Sequence, residues 1–105
     1  LDGAIADYNQ AISLNPKLAE VWFNRAAAWV EKREMERAIS DYSRAIEVTP
    51  GFANAYANRG LARLELGQEF AAQQDFTQCF NLDIKLKSSL EERIQQIRQK
   101  LAAKQ

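Results

Sequence analysis

The chain contains no histidine, a single cysteine (Cys79), two prolines and four glycines in 105 residues. Without imidazole there is no histidine general base, no histidine-ligated metal and no Ser-His triad. One cysteine cannot build a thiolate zinc site or close an internal disulfide. It fits a reducing compartment, so a cytoplasmic location is the expectation. Four scattered glycines make no phosphate-cradling loop, and neither a metal nor a cofactor is expected. No apolar run approaches the ~20 residues of a membrane span, and no charged-then-apolar leader marks the chain for export. So little proline and glycine also leaves few turns for a β-rich fold.

What is present favours a packed helical domain. Hydrophobic residues make up 47% and charged residues 27% of the chain, a balance that supports a core rather than disorder. The length suits one domain with a modest core, and alanine, leucine, glutamate, arginine and glutamine are strong helix formers. The formal net charge is zero but unevenly spread: residues 1–84 carry eight Lys/Arg against twelve Asp/Glu, and residues 85–105 carry six against two. An acidic body argues against nucleic acid as a partner. The basic tail reads as a solvated helix face rather than a membrane or phosphate contact.

One line of sequence is written three times. D-Y-N-Q-A-I-S-L-N-P starts at Asp7, D-Y-S-R-A-I-E-V-T-P at Asp41 and D-F-T-Q-C-F-N-L-D-I at Asp75, a period of 34 residues. Between copies, Ala19 to Ala26 corresponds to Ala53 to Gly60. A period between about 20 and 50 residues signals stacked supersecondary units. Each unit reads as two helices, with Trp22, Ala26, Trp29 and Val30 on one helical face and Ala38, Tyr42, Ala45 and Ile46 on another. Pro16 and Pro50 end the second helices, because proline disfavours helical geometry in the residue before it. The spacing predicts helices over 2–14, 19–32, 36–48, 53–66, 69–82 and 87–103.

These residues resemble the tetratricopeptide repeat (TPR), whose pattern W-x2-L-G-x2-Y, A-x3-F, P is met by Trp22-x2-Arg25-Ala26-x2-Trp29, Ala38-x3-Tyr42 and Pro50. The next unit runs Tyr56-x2-Arg59-Gly60-x2-Arg63, Ala72-x3-Phe76, with Ile84 in the proline's place. The resemblance implies an all-α fold, a right-handed superhelix of stacked helical hairpins. Residues 1–105 then form a single domain of about two and a half repeats: the second helix of a truncated repeat (1–18), full repeats at 19–52 and 53–86, and a capping helix at 87–105. Leu90, Ile94, Ile97 and Leu101 make the inner stripe of that cap.

Few residues invite catalysis. Glu34/Glu36 and Glu91/Glu92 are close carboxylates on polar helix positions, and solvated surface accounts for them. Trp22 and Trp29 stand at packing positions and are expected to be largely buried, so that replacing either with alanine would cost roughly 3–5 kcal/mol. Cys79 stands where the other copies have Ala11 and Ala45, and a small buried thiol is expected. Asp7, Asp41 and Asp75 are each followed 18 residues later by Arg25, Arg59 and Arg93. In an antiparallel hairpin such partners lie at equal height, which predicts a ladder Asp7–Arg25, Asp41–Arg59, Asp75–Arg93.

The function expected is protein–protein interaction without enzymatic activity. In TPR proteins the first helices of successive units line a concave groove. The resemblance therefore places Glu20, Asn24, Ala27 and Glu31, and Asn54, Asn58, Leu61 and Glu65, on that groove, bordered by Phe23 and Ala57. Asparagine offers both donor and acceptor to the backbone of a bound peptide or helix. Some family members grip an acidic tail with a carboxylate clamp of lysine or arginine. Here Phe23 and Ala57 stand where lysine would serve, only Asn24 and Asn58 match, and Glu20, Glu31, Glu65, Glu91 and Glu92 would repel a carboxylate. The expected ligand is neutral to basic with an apolar anchor. The alternative is self-association through the face of the first helix bearing Ile5, Tyr8 and Ile12.

Overall fold

The computed structural model describes residues 1–104. Among these, six α-helices and no strand are present: α1 (Asp2–Leu14), α2 (Ala19–Glu31), α3 (Met35–Val48), α4 (Ala53–Glu65), α5 (Glu69–Leu82) and α6 (Lys87–Ala103), with a 3-10 turn at Ile84–Leu86 before α6. Each boundary lies within one residue of the sequence expectation. The 3-10 turn was not anticipated.

Two kinds of turn alternate, and each repeats with the sequence. Between α2 and α3, and again between α4 and α5, the chain reverses through a left-handed residue: Arg33 at φ 64° and Gly67 at φ 78°. At both, the next amide reaches back five residues (Glu34 N–H to Trp29 O and Gln68 N–H to Arg63 O, each 2.9 Å). That is the helix-ending pattern for which glycine is preferred, and Arg33 accepts the steric cost instead. The turns that leave α1, α3 and α5 pass through extended residues, Asn15, Thr49 and Asp83. Asp83 keeps this geometry although Ile84 replaces proline. Its carboxylate accepts Lys85 N–H at 3.1 Å, as Asn15 accepts Lys17 N–H at 3.1 Å in the first turn. A side-chain turn thus takes over the proline's part.

The core divides into two clusters. Ala26, Ala38, Tyr42, Ala45 and Ala55 are buried where α2 and α3 meet α4, and Leu61, Leu64, Ala72, Phe76, Cys79, Leu90 and Ile94 where α4, α5 and α6 meet. Each fully buried Phe76 or Leu64 contributes about 1.5–3 kcal/mol. Small residues set how closely the helices approach. A Cβ added at Gly60 would lie 2.5 Å from the Phe76 ring. Cys79 is fully buried, and burial, helped by the Asp83 charge, pushes its thiol up from the ordinary value.

Trp22 and Trp29 are half-buried, not largely buried. Each lays one edge on the α2–α3 core and turns the rest outward under a cation: Arg25 sits 5.1 Å from the Trp22 ring, and Arg37 4.9 Å from Trp29. The Trp22 indole donates to Pro16 O at 2.8 Å, which ties the turn after α1 to α2. Alanine replacements at these positions expose less new surface than a core truncation would.

The ion-pair ladder exists in another register. Arg25 grips Asp41 (2.7 and 2.9 Å) and Arg59 grips Asp75 (3.1 and 2.8 Å), both bidentate, while Arg63 adds a third bond to Asp75 at 2.9 Å. The spacing is 16, within one hairpin, rather than 18 across the turn between hairpins. Of the aspartates at the two spacings, only the one inside the hairpin bonds the arginine. The remaining guanidinium nitrogens of Arg25 and Arg59 reach back to Asn9 and Ser43, so these two arginines each join three consecutive helices. Asp7 is exposed and Arg93 is not bonded to Asp75.

Candidate functional site

α2, α4 and α6 line a cleft of about 240 Å³. Its walls are Ala27 and Val30 from α2, Asn58, Leu61, Ala62 and Glu65 from α4, and Arg93 and Ile97 from α6. Arg33 and Met35 close the end nearest the first tight turn, and Tyr42 reaches in from α3. The helical period puts Ala27 and Val30 together on α2, and Asn58, Leu61 and Glu65 on α4, while the left-handed turn after α2 brings in Arg33.

Four residues expected in the groove therefore meet in one place: Ala27, Asn58, Leu61 and Glu65. Glu20, Phe23, Asn24, Glu31, Asn54 and Ala57 do not line this cleft. Glu20, Asn24, Glu31 and Asn54 are exposed on α2 and α4, whereas Ala57 and Leu61 are buried at 5% and 6% exposure. Phe23 is half-buried within an aromatic trio, stacked on Phe52 at 4.8 Å and edge-on to Tyr42 at 5.5 Å. That packing ties α2 to α3 and to the start of α4.

The electrostatics differ from a uniformly acidic groove. Glu65 accepts from Arg33 at 3.1 Å and from Lys100 at 2.9 Å. Burial raises its pKa, but the two cations together outweigh burial and hold the carboxyl below its ordinary range. Glu91 lies on the opposite side of α6, in a recess with Gln95 and Arg98. The α6 side of the cleft thus presents Arg93, which is in no salt bridge among the described residues. Tyr42 lies at the floor. Burial pushes its phenol up to about 12, with Asn58 and Arg93 beside the hydroxyl pulling the other way. Sequence reasoning missed Arg93 here because the constant spacing had assigned it to Asp75. It missed Arg33 because a charged residue in a glycine position reads only as a turn.

Among the described residues, no helix is long and apolar enough to cross a membrane, and no group of three acidic or cysteine side chains could hold a metal ion.

Stacked two-helix hairpins with a groove along their first helices define a helical-repeat solenoid. The chain belongs to the tetratricopeptide repeat family, whose repeats match residues 1–32 and 30–67 and again 53–83. Among solved structures it is similar to the first TPR domain of Spaghetti (RPAP3) bound to the HSP90 peptide SRMEEVD, at 27% identity over 96% of this chain and 79% of that one, with a TM-score of 0.84. It is also similar to the Arabidopsis OM64 TPR domain, at 28% identity over 90% of this chain and 78% of that one, TM-score 0.81. The second TPR domain of human RPAP3, in complex with the HSP70 peptide SGPTIEEVD, shares 29% identity over 90% of this chain and 78% of that one, TM-score 0.80. No curated protein matches the chain.

Proposed function

We propose that this chain is a non-enzymatic interaction module that holds a peptide or helix of a partner protein along α2, α4 and α6. The observation that carries the reading is the cleft itself, in which an apolar wall (Ala27, Val30, Leu61, Ile97) faces a few polar groups at Asn58, Arg93 and the Tyr42 hydroxyl. Such a lining can seat an apolar anchor and orient a backbone. Two structural relatives, the RPAP3 domains, are complexes with short peptides, which supports a peptide ligand for this chain.

The ligand favoured along α2 is neutral to basic with an apolar anchor. Glu20 and Glu31 are exposed there and in no salt bridge among the described residues, so a basic side chain lowers the energy where a carboxylate raises it. A second reading has one observation behind it: Arg93 leaves the α6 end of the cleft cationic, since Glu65 is already held by Arg33 and Lys100. An acidic ligand would meet its charge there. Titration calorimetry with a basic-apolar peptide set and an acidic-tailed set decides between them. Tighter binding of the basic-apolar set, weakened by Asn58→Ala and by Leu61→Ala, is the expected result. Tighter binding of the acidic set, lost on Arg93→Gln, reverses the ligand's charge, and no binding of either set removes the groove reading.

A further inference from the structure

The tight turns after α2 and α4 are one turn made by two different residues. Arg33 at φ 64° and Gly67 at φ 78° stand 34 residues apart. Each donates its amide to the carbonyl three residues back, Val30 O and Leu64 O, both at 2.9 Å. Glycine enters the left-handed region without a clash, whereas an L side chain there is disfavoured about five- to thirtyfold. Gly67 shows that the turn itself has no need of a side chain. Arg33 is the only residue other than glycine with a positive φ among the described residues.

What the Arg33 side chain contributes within the chain is small. One of its nitrogens meets Glu65 at 3.1 Å, and the side chain is 59% exposed. An ion pair so exposed is worth at most about fivefold, and Glu65 has Lys100 at 2.9 Å besides. The strain therefore outweighs the pair. Backbone strain that a fold does not require collects where a side chain is put to use. Arg33 stands at such a place, since it closes the end of the α2–α4–α6 cleft beside Met35. Glu65 orients its guanidinium, and a guanidinium has several N–H donors, which leaves others for a ligand.

We propose that Arg33 is a ligand-contacting residue of the cleft, its guanidinium donating to a main-chain carbonyl of the partner segment bound there. The proposal rests on the cleft being a peptide groove and adds the residue that fixes one end of the ligand. A neutral carbonyl fits better than a carboxylate. Glu65 offsets the arginine's charge, and Glu31, two residues before it, is exposed and in no salt bridge among the described residues. Asn58 supplies a second fixed point. It precedes Glu65 by seven residues on α4, a rise of about 10 Å along the helix. An extended chain covers that distance in about three residues. The ligand is thus an extended segment whose carbonyls, about three residues apart, meet Asn58 and Arg33, with an apolar side chain between them over Leu61.

The test uses the whole chain and the tightest capped peptide of the basic-apolar set. Arg33→Gly should hold or raise the unfolding midpoint in urea, because it removes the strain. In titration calorimetry the same variant should bind the peptide about tenfold or more weakly, as expected for loss of a hydrogen bond from a charged donor. Gly67→Arg, which adds the strain outside the cleft, should lower the midpoint and leave affinity unchanged. Replacing the peptide's amides by esters one at a time weakens each carbonyl as an acceptor, and one position should lose its effect in Arg33→Gly. Equal affinity of wild type and Arg33→Gly, or no ester position that depends on Arg33, makes the arginine a structural residue and overturns the proposal with the groove reading intact. An unchanged midpoint in Gly67→Arg also overturns it, since no strain is then left to explain. Tighter binding of the acidic-tailed set, lost on Arg33→Gly, puts a carboxylate in the carbonyl's place and overturns the assignment. No binding of any peptide by the wild-type chain removes the groove reading and this contact with it.

Discussion

Tyr42 shows how one side chain serves both core and groove. Its ring is 2% exposed and packs edge-on against Phe23, while its hydroxyl reaches the cleft floor beside Asn58 and Arg93. Burial of a phenol penalises its anion, which is why the pKa lies at about 12 against an ordinary 10. A folded-state pKa raised in this way stabilises fully below about pH 10 and loses that contribution as pH climbs through about 12. The protein should therefore lose stability in that window. Tyr42→Phe should flatten the loss, by on the order of 2 kcal/mol between pH 9 and pH 12. Urea denaturation of both proteins across that range measures it, and parallel alkaline limbs would assign the titration to other groups.

Between elements, the arginine ladder decides which helices belong to one hairpin. Asp75 is 3% exposed and receives three guanidinium bonds from Arg59 and Arg63, Asp41 receives two from Arg25, and Asp7 is exposed. Removing a buried carboxylate strands the cations that it neutralised, and cleaving such pairs typically costs about 3–5 kcal/mol. Because the arginines here are 15–24% exposed, water recovers part of that cost. Asp75→Ala should lower stability by about 2–4 kcal/mol, Asp41→Ala by somewhat less, and Asp7→Ala should leave it unchanged. Urea midpoints for the three variants give the order. A loss at Asp7 equal to that at Asp41 would restore the 18-residue register.

For the whole molecule, Glu65 joins three parts that the repeat brings near one another. Arg33 comes from the turn after α2, Glu65 from the end of α4 and Lys100 from α6. The carboxyl's pKa is lowered, so its contribution is present above the ordinary value of 4.5 and is lost as pH falls through the folded value. Glu65→Gln should cost about 1 kcal/mol at neutral pH, since the two cations are 59% and 43% exposed and water screens the pairs. That deficit should shrink as pH falls below 4.5 and through the lowered folded value. Hydrogen exchange along α6 checks where the loss falls: faster exchange confined to α6 at neutral pH is expected, and uniform acceleration would deny Glu65 its part in holding that helix.

The repeat period, the helix limits and the family were legible in the sequence because they rest on local chemistry. Proline after Asn15 and Thr49, glycine at position 67, and apolar residues at helical spacing act within a few residues of themselves. The same local logic placed Ala38, Ala45, Ala72 and Cys79 inside, where all four are fully buried. Side-chain direction across a packed interface was not legible, for it depends on how each helix rotates about its axis once its neighbours arrive. Spacing assigned Asp41 to Arg59, and only the assembled hairpin gave it Arg25 instead. Likewise helix positions on α6 suggested Glu91 and Glu92 for the groove, but packing of Leu90 and Ile94 against α4 and α5 turned Arg93 and Ile97 toward the cleft. Sequence alone determined the elements and their order, since these follow from short-range propensity and periodicity. The charge that the groove presents was decided only by tertiary structure, because burial and neutralisation are properties of neighbours far apart in the chain.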